Sequence, residues 1–286
     1  MLIKSVNYWS FPGGLEGTLD PVEALHLAMA LGFEGVELAV GPAGSALGLD
    51  CSDARLDEIV ATAKELGLSL ASLASGLYWE RNLASADSSL RAQAVDDLKR
   101  MVAIASRLGA KTLLTIPGAV DVFFLPDRPR QAYAEVLQYA KEGLLQVLPD
   151  AASHEVRLGI ENVWNKFLLS PAEMADFVDS FGSPWIGAYL DVGNVLPFGY
   201  PQDWLRHLGL RVVGVHFKDF RRSVGTADGF VDLLEGDVDW PDVTAALEEI
   251  GYDGPVAAEM IPGYRHHPMV RVENASRAMD AILGRG

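Results

Sequence analysis

Residues 157–194 read RLGIENVWNKFLLSPAEMADFVDSFGSPWIGAYLDVGN, and this stretch holds the unit from which the whole chain is built. A short apolar run, Arg157–Glu161, precedes Ser170-Pro171-Ala172-Glu173, which combines an N-cap, a proline at the first helical position and a capping-box glutamate. The helical pattern Pro171–Phe181 then gives way to a second β-rich run, Ile186–Asp191. Strand, amphipathic helix, strand predicts two parallel strands joined by a crossover helix.

The same alternation extends in both directions. Strands are expected at Ile3–Tyr8, Gly35–Val40, Leu68–Ser75, Thr112–Ile116, Arg157–Glu161, Ile186–Asp191, Val212–Phe217 and Val256–Met260. Helices are expected at Pro21–Leu31, Ala54–Leu66, Ser89–Leu108, Arg130–Leu148, Pro171–Phe181, Gln202–Leu208, Pro241–Ile250 and Val270–Leu283. Asp20-Pro21-Val22-Glu23 repeats the helix-start signal, and glycines at 32, 67 and 109 stop helices before the next strand. Eight strand–helix pairs of about 36 residues, with no linker between them, predict an α/β fold: a single (β/α)8 TIM barrel spanning residues 1–286. A doubly wound open sheet is the alternative. Against it, Tyr8-Trp9-Ser10-Phe11-Pro12-Gly13-Gly14 lacks the spacing of a dinucleotide fingerprint and no helix follows directly. The long segment Phe220–Asp239, after the seventh strand, has the length of a functional loop or lid.

Composition narrows the partners. With 23 Lys+Arg against 39 Asp+Glu the formal charge is −16, which would repel a nucleic-acid backbone or an anionic membrane surface. A single cysteine excludes an internal disulfide framework and a cysteine-based zinc cluster. The N-terminus has no signal-peptide pattern and no apolar run is long enough to span a bilayer, so a cytoplasmic location is expected. A homodimer or homotetramer is compatible with this composition.

In such a barrel the site lies at the C-terminal ends of the strands. Four consecutive strand ends there carry metal-compatible groups: Glu161, Asp191, His216 and Glu259, separated by 30, 25 and 43 residues. Any one of these acids could simply begin a loop or cap a helix, and His216 alone would read as a core histidine. Ionised groups inside apolar runs are costly unless paired or bound to a cation, so four together point to a shared ion. Three oxygen donors and one imidazole favour a hard or borderline divalent ion.

These residues resemble the metal site of the xylose-isomerase-like barrel superfamily, and within it the sugar phosphate isomerase/epimerase group that includes ketose 3-epimerases. The resemblance rests on Ile160-Glu161-Asn162-Val163-Trp164-Asn165, Leu190-Asp191-Val192-Gly193-Asn194, Val215-His216-Phe217-Lys218-Asp219 and Gly236-Asp237-Val238-Asp239-Trp240, all in the second half of the chain. In the first half only the barrel pattern is shared, with Glu37 as a recurring feature. The resemblance implies one divalent metal ion on Glu161, Asp191, His216 and Glu259, with Mn²⁺ expected and Mg²⁺, Co²⁺ or Zn²⁺ as alternatives. It implies a ketose or ketose phosphate substrate. Arg222 stands where those epimerases carry a substrate-contacting arginine.

Trp164, Lys166, Asn194 and Lys218 complete the candidate substrate-binding set. Two positions depart from the family: Phe167 replaces an acid and Asn194 replaces a frequent histidine, and both are expected to face substrate. Lys166, Lys218, Arg221 and Arg222 read either as a phosphate site or as charges balancing Asp219, Asp228 and Asp232. Tyr8, Trp9, Trp79 and Trp164 read equally as a sugar-stacking wall or as packing.

The implied chemistry is proton abstraction beside a carbonyl through a metal-stabilised cis-enediolate, with Glu161 and Glu259 as the two catalytic carboxylates. Returning the proton to the opposite face gives epimerisation, and returning it to the adjacent carbon gives isomerisation. Loss of a β-hydroxyl instead gives the alternative, a dehydratase or lyase acting on an inosose or 3-keto sugar, where His266-His267 could supply an acid. A DNA-repair endonuclease of the same superfamily would need many more histidines than the six present, and a basic face that is missing. A non-catalytic sugar- or partner-binding barrel is the third class.

Overall fold

The computed structural model describes residues 1–285. Its eight parallel strands are β1 (Ile3–Asn7), β2 (Gly35–Val40), β3 (Ser69–Ser75), β4 (Thr112–Thr115), β5 (Arg157–Glu161), β6 (Ile186–Asp191), β7 (Val212–Phe217) and β8 (Pro255–Ala258). They close in the order β1-β8-β7-β6-β5-β4-β3-β2, so no barrel edge is left unpaired. The helices are α1 (Pro21–Ala30), α2 (Asp53–Glu65), α3 (Ser88–Leu108), α4 (Tyr133–His154), α5 (Pro171–Asp179), α6 (Pro201–Leu208), α7 (Trp240–Glu249) and α8 (Pro268–Ile282). Among the described residues, no helix is long and apolar enough to cross a membrane.

The capping signals act as expected. Asp20 accepts from the backbone N–H of Val22 and Glu23, and Ser170 from that of Glu173, answering donors that the first turn leaves free. On α3, Val95, Leu98, Val102, Ala105 and Leu108 recur at helical spacing and are buried. Each fully buried Leu or Val contributes about 1.5–3 kcal/mol of transfer free energy.

Four departures from the sequence reading have a local cause. Helix α4 runs past Leu148 to His154, through Pro149. Both Pro149 and Leu145, whose carbonyl loses its partner, lie on the exposed face, so water can satisfy that carbonyl. β1 ends at Asn7 and becomes a 3-10 turn at Tyr8–Ser10, because the Asn7 side chain accepts from the Trp9 N–H. A single helical turn at Val192–Val195 follows β6, capped by Asp191. The long segment after β7 is partly ordered as an antiparallel ribbon, Asp219–Phe220 with Phe230–Val231. Asp219 fastens this loop by accepting from the backbone N–H of Phe220, Leu234 and Val238 and from the Trp240 indole.

The barrel interior is not purely apolar. Register places Asn7, Glu37 and Ser72 side by side on β1, β2 and β3, with an irregularity between Val36 and Glu37. The fully buried Tyr189 ring crosses the interior from β6. A Cβ at Gly214 would lie 2.4 Å from that ring, so only glycine on β7 admits it. This glycine lets the tyrosine hydroxyl reach β2, and through it the floor of the site is built.

Candidate metal centre and active site

Glu161 ends β5, Asp191 ends β6, His216 lies in β7, and Glu259 immediately follows β8. Asp191 and His216 are register partners across β6 and β7, and Ala257 faces His216 from β8. One ligand atom from each of the four residues falls within 4.8 Å of the others, and all four side chains are buried. His216 Nδ1 lies 3.4 Å from Glu259 Oε2, 3.7 Å from Glu161 Oε1 and 3.8 Å from Asp191 Oδ2.

Those atoms also test whether the residues suit an ion. His216 Nδ1 is buried without a hydrogen-bond partner, and the equally buried Asp191 Oδ2 and Glu259 Oε2 meet only the ammonium of Lys218. A buried polar atom is rarely left alone, and a divalent cation would answer the imidazole nitrogen while adding the positive charge that one ammonium does not supply to three carboxylates. The donor set fits.

Asp191 satisfies both readings of a strand-end acid. Its Oδ1 accepts from the Asn194 N–H at 2.8 Å and caps the helical turn, while Oδ2 faces the cluster. Asn162 grips the Asp191 backbone through both ends of its amide, at 2.8 and 2.9 Å. The carboxylate is thereby held by its main chain as well as by its side chain.

Behind the cluster stands Glu37, fully buried. It accepts from His216 Nε2 at 2.5 Å, Asn7 Nδ2 at 2.6 Å, the Tyr189 hydroxyl at 2.6 Å and the Ser72 hydroxyl. With Nε2–H committed to Glu37, the histidine presents Nδ1 to the cluster, the arrangement that orients metal-binding histidines. Sequence reading noted Glu37 only as a family feature. The signal available was an acid inside the apolar run Gly35–Val40.

Charge and burial displace the ionisation of these groups. Burial pushes Glu161 up to about 7 despite the pull of the nearby His216 imidazole, with the charges of Glu259 and Asp191 adding to the rise. Asp191 is likewise raised by burial, against the pull of Lys218. For Glu37, burial alone would favour the acid, but His216 and the hydroxyl donors hold it below the usual carboxylate range. Burial works against a charged His216, and Glu37 and Glu259 outweigh it, leaving the imidazole well above its ordinary value.

The remaining candidates are placed unequally. Lys218 reaches the cluster itself: its Nζ lies 3.1 Å from Asp191 Oδ2 and also contacts Glu259 Oε2. Trp164 donates to the Asn194 carbonyl at 3.1 Å and packs among Phe123, Phe198, Phe220 and Phe230. The Asn194 amide donates to the Asn162 carbonyl, tying together the loops after β5 and β6. Arg222 is half exposed on the loop after β7, over the Tyr200 ring and beside Asp237, at a small recess of 190 Å³. Lys166 is exposed and paired with Asp121 at 2.5 Å.

Two expectations are corrected. Phe167 does not face substrate: it is buried against Tyr133 and Phe177, because Asn165 and the left-handed backbone of Lys166 and Leu168 turn the loop inward there. The four basic residues do not converge on one anion site, since Arg221 pairs with Glu235, Arg222 with Asp237 and Lys166 with Asp121, while Lys218 is drawn inward. Tyr8 is core, its hydroxyl bonded to the Leu19 carbonyl. Trp79 packs on Phe124 at the rim. His266 and His267 are exposed on the loop before α8.

A closed (β/α)8 barrel with a buried acid–histidine cluster at the C-terminal ends of four consecutive strands defines the class. The chain belongs to the xylose isomerase-like TIM barrel family, whose model matches residues 25–282. SgbU of Escherichia coli K12 is 28% identical over 268 residues, 91% of each chain. The L-ribulose-5-phosphate 3-epimerase UlaE of Salmonella paratyphi C is 26% identical over 277 residues, 96% of this chain and 94% of its own. Among solved structures, D-psicose 3-epimerase of Clostridium cellulolyticum H10 superposes with a TM-score of 0.80 at 17% identity, covering 99% of both chains, a likeness of fold.

Proposed function

We propose that the protein is a divalent-metal-dependent epimerase of a ketose or ketose phosphate, working by proton removal beside the carbonyl. One observation carries this reading: Glu161, Asp191, His216 and Glu259 converge around a buried, unpartnered imidazole nitrogen, with three carboxylates facing the single ammonium of Lys218. Full-length relatives that include an L-ribulose-5-phosphate 3-epimerase support the substrate class.

A divalent ion on these four residues, Mn²⁺ in our reading, would supply Lewis-acid polarisation of the sugar carbonyl. Glu161 and Glu259 come from β5 and β8, three steps apart around the ring, and so approach a central sugar from different sides. One removes the carbon-bound proton and the other returns one to the opposite face. Trp164 and its aromatic neighbours exclude water from one side. In this reading Asn194 offers its amide oxygen to a sugar hydroxyl, and Arg222, on the loop after β7, meets the far end of the substrate. The chemistry is that of cytoplasmic sugar metabolism.

The test is isotope exchange. Manganese-loaded protein is incubated in deuterated water with a panel of ketoses, ketose phosphates and keto-cyclitols and followed by NMR. Deuterium at the carbon next to the carbonyl, with a new epimer, is expected, and E161Q and E259Q should each abolish it. Exchange surviving in both variants refutes the two-carboxylate mechanism, and loss of water from a keto-cyclitol replaces epimerisation with dehydration.

A further inference from the structure

The segment after His216 alternates strictly. His216 points into the barrel, Phe217 packs outward on Trp240 with ring centroids 4.8 Å apart, and Lys218 points inward again. Period-two geometry thus delivers a lysine to the same face as the ligating imidazole, one level nearer the mouth. Its side chain is only 12% exposed.

Three features hold it there. Its ammonium contacts Asp191 Oδ2 and Glu259 Oε2, two of the oxygens that otherwise lack a partner. The Phe230 ring lies 5.4 Å from Nζ, closing the outer side. Gly193, in the turn after β6, makes room for it, since a Cβ there would stand 2.6 Å from Lys218 Cβ and 3.1 Å from its backbone. A lysine with a free choice of rotamers would extend into water. This one is built into the wall.

The charge count makes sense of the arrangement. Glu161, Asp191 and Glu259 bring three negative charges, of which a divalent ion answers two. Glu37 is answered separately by its four donors.

We propose that Lys218 is a resident cation of the metal centre, sharing Asp191 and Glu259 with the ion, supplying the third positive charge and limiting how tightly the ion is held. This inference rests on the reading of the cluster as a metal site. A fixed positive charge beside a cation site repels the incoming ion and competes for its oxygens, so removing the lysine tightens binding even as it impairs turnover.

Isothermal titration of EDTA-stripped protein with MnCl₂ tests it, using wild type, K218M and K218Q, each checked for native circular dichroism. Both variants should bind Mn²⁺ at least tenfold more tightly than wild type. The gap in melting temperature between EDTA and Mn²⁺ should widen, because the stripped variants lose the ammonium that faces the buried acids. Affinity unchanged or weaker in both variants overturns the role of Lys218. Absence of Mn²⁺ uptake by wild type and variants alike, while all remain folded, overturns the metal reading instead.

Discussion

Replacing Glu37 with glutamine isolates the charge behind the histidine from its shape. The Glu37 carboxylate accepts from four donors, two on each oxygen. In E37Q the amide oxygen can take the place of Oε1, keeping the bonds from Asn7 and His216. The amide NH₂ then faces Ser72 and Tyr189, whose hydroxyls can turn to accept. The fold is therefore retained. What is lost is a charge-assisted bond to Nε2, worth about 1.5–3 kcal/mol, replaced by a neutral one of about 0.5–1.5 kcal/mol. The difference of about 1–2 kcal/mol corresponds to roughly 5–30-fold in binding, in line with the roughly 10–100-fold found for outer-shell partners of metal-bound histidines. E37Q should thus bind Mn²⁺ roughly 5–30-fold more weakly in a calorimetric titration, with an unchanged circular dichroism spectrum. Binding within twofold of wild type would refute the claim that Glu37 prepares Nδ1 for a cation. The sign is opposite to that expected for K218M, so a general loosening of the barrel cannot produce both results.

Manganese uptake should depend on pH. His216 is raised above its ordinary range and Glu161 lies at about 7, so below pH 7 both hold protons that an ion must displace. The apparent Kd should tighten on going from pH 6 to pH 8, with proton release measurable in weakly buffered solution, and a flat profile would count against ligation by these groups. F167E should destabilise the protein without creating a catalytic group. The charge would be buried between Tyr133 and Phe177, costing about 3–5 kcal/mol, or roughly 6–20 °C in melting temperature. A variant melting within about 2 °C of wild type would show that the loop does not bury this side chain.

The eight-fold alternation of strand and helix patterns carried the fold in the primary structure, because burial on both sides makes parallel strands read as apolar runs and caps mark where helices begin. It also carried the four acid and imidazole positions, since a charge at the end of such a run is conspicuous. Where the pattern misleads, a local rule meets a tertiary exception: the helix expected to stop at Leu148 runs on through Pro149, whose lost bond falls on the solvent side. Three matters were decided only by closure of the barrel. Glu37, Asn7, Ser72 and Tyr189 come from four different strands and meet His216 only when β1 pairs with β8. Phe167 turns inward through left-handed residues on either side, which no periodicity announces. Lys218 enters the cluster because Gly193, in the turn after β6, gives it space. A residue's type and neighbours set which chemistry it can perform, whereas the charges facing it arrive from distant segments and exist only in the folded chain.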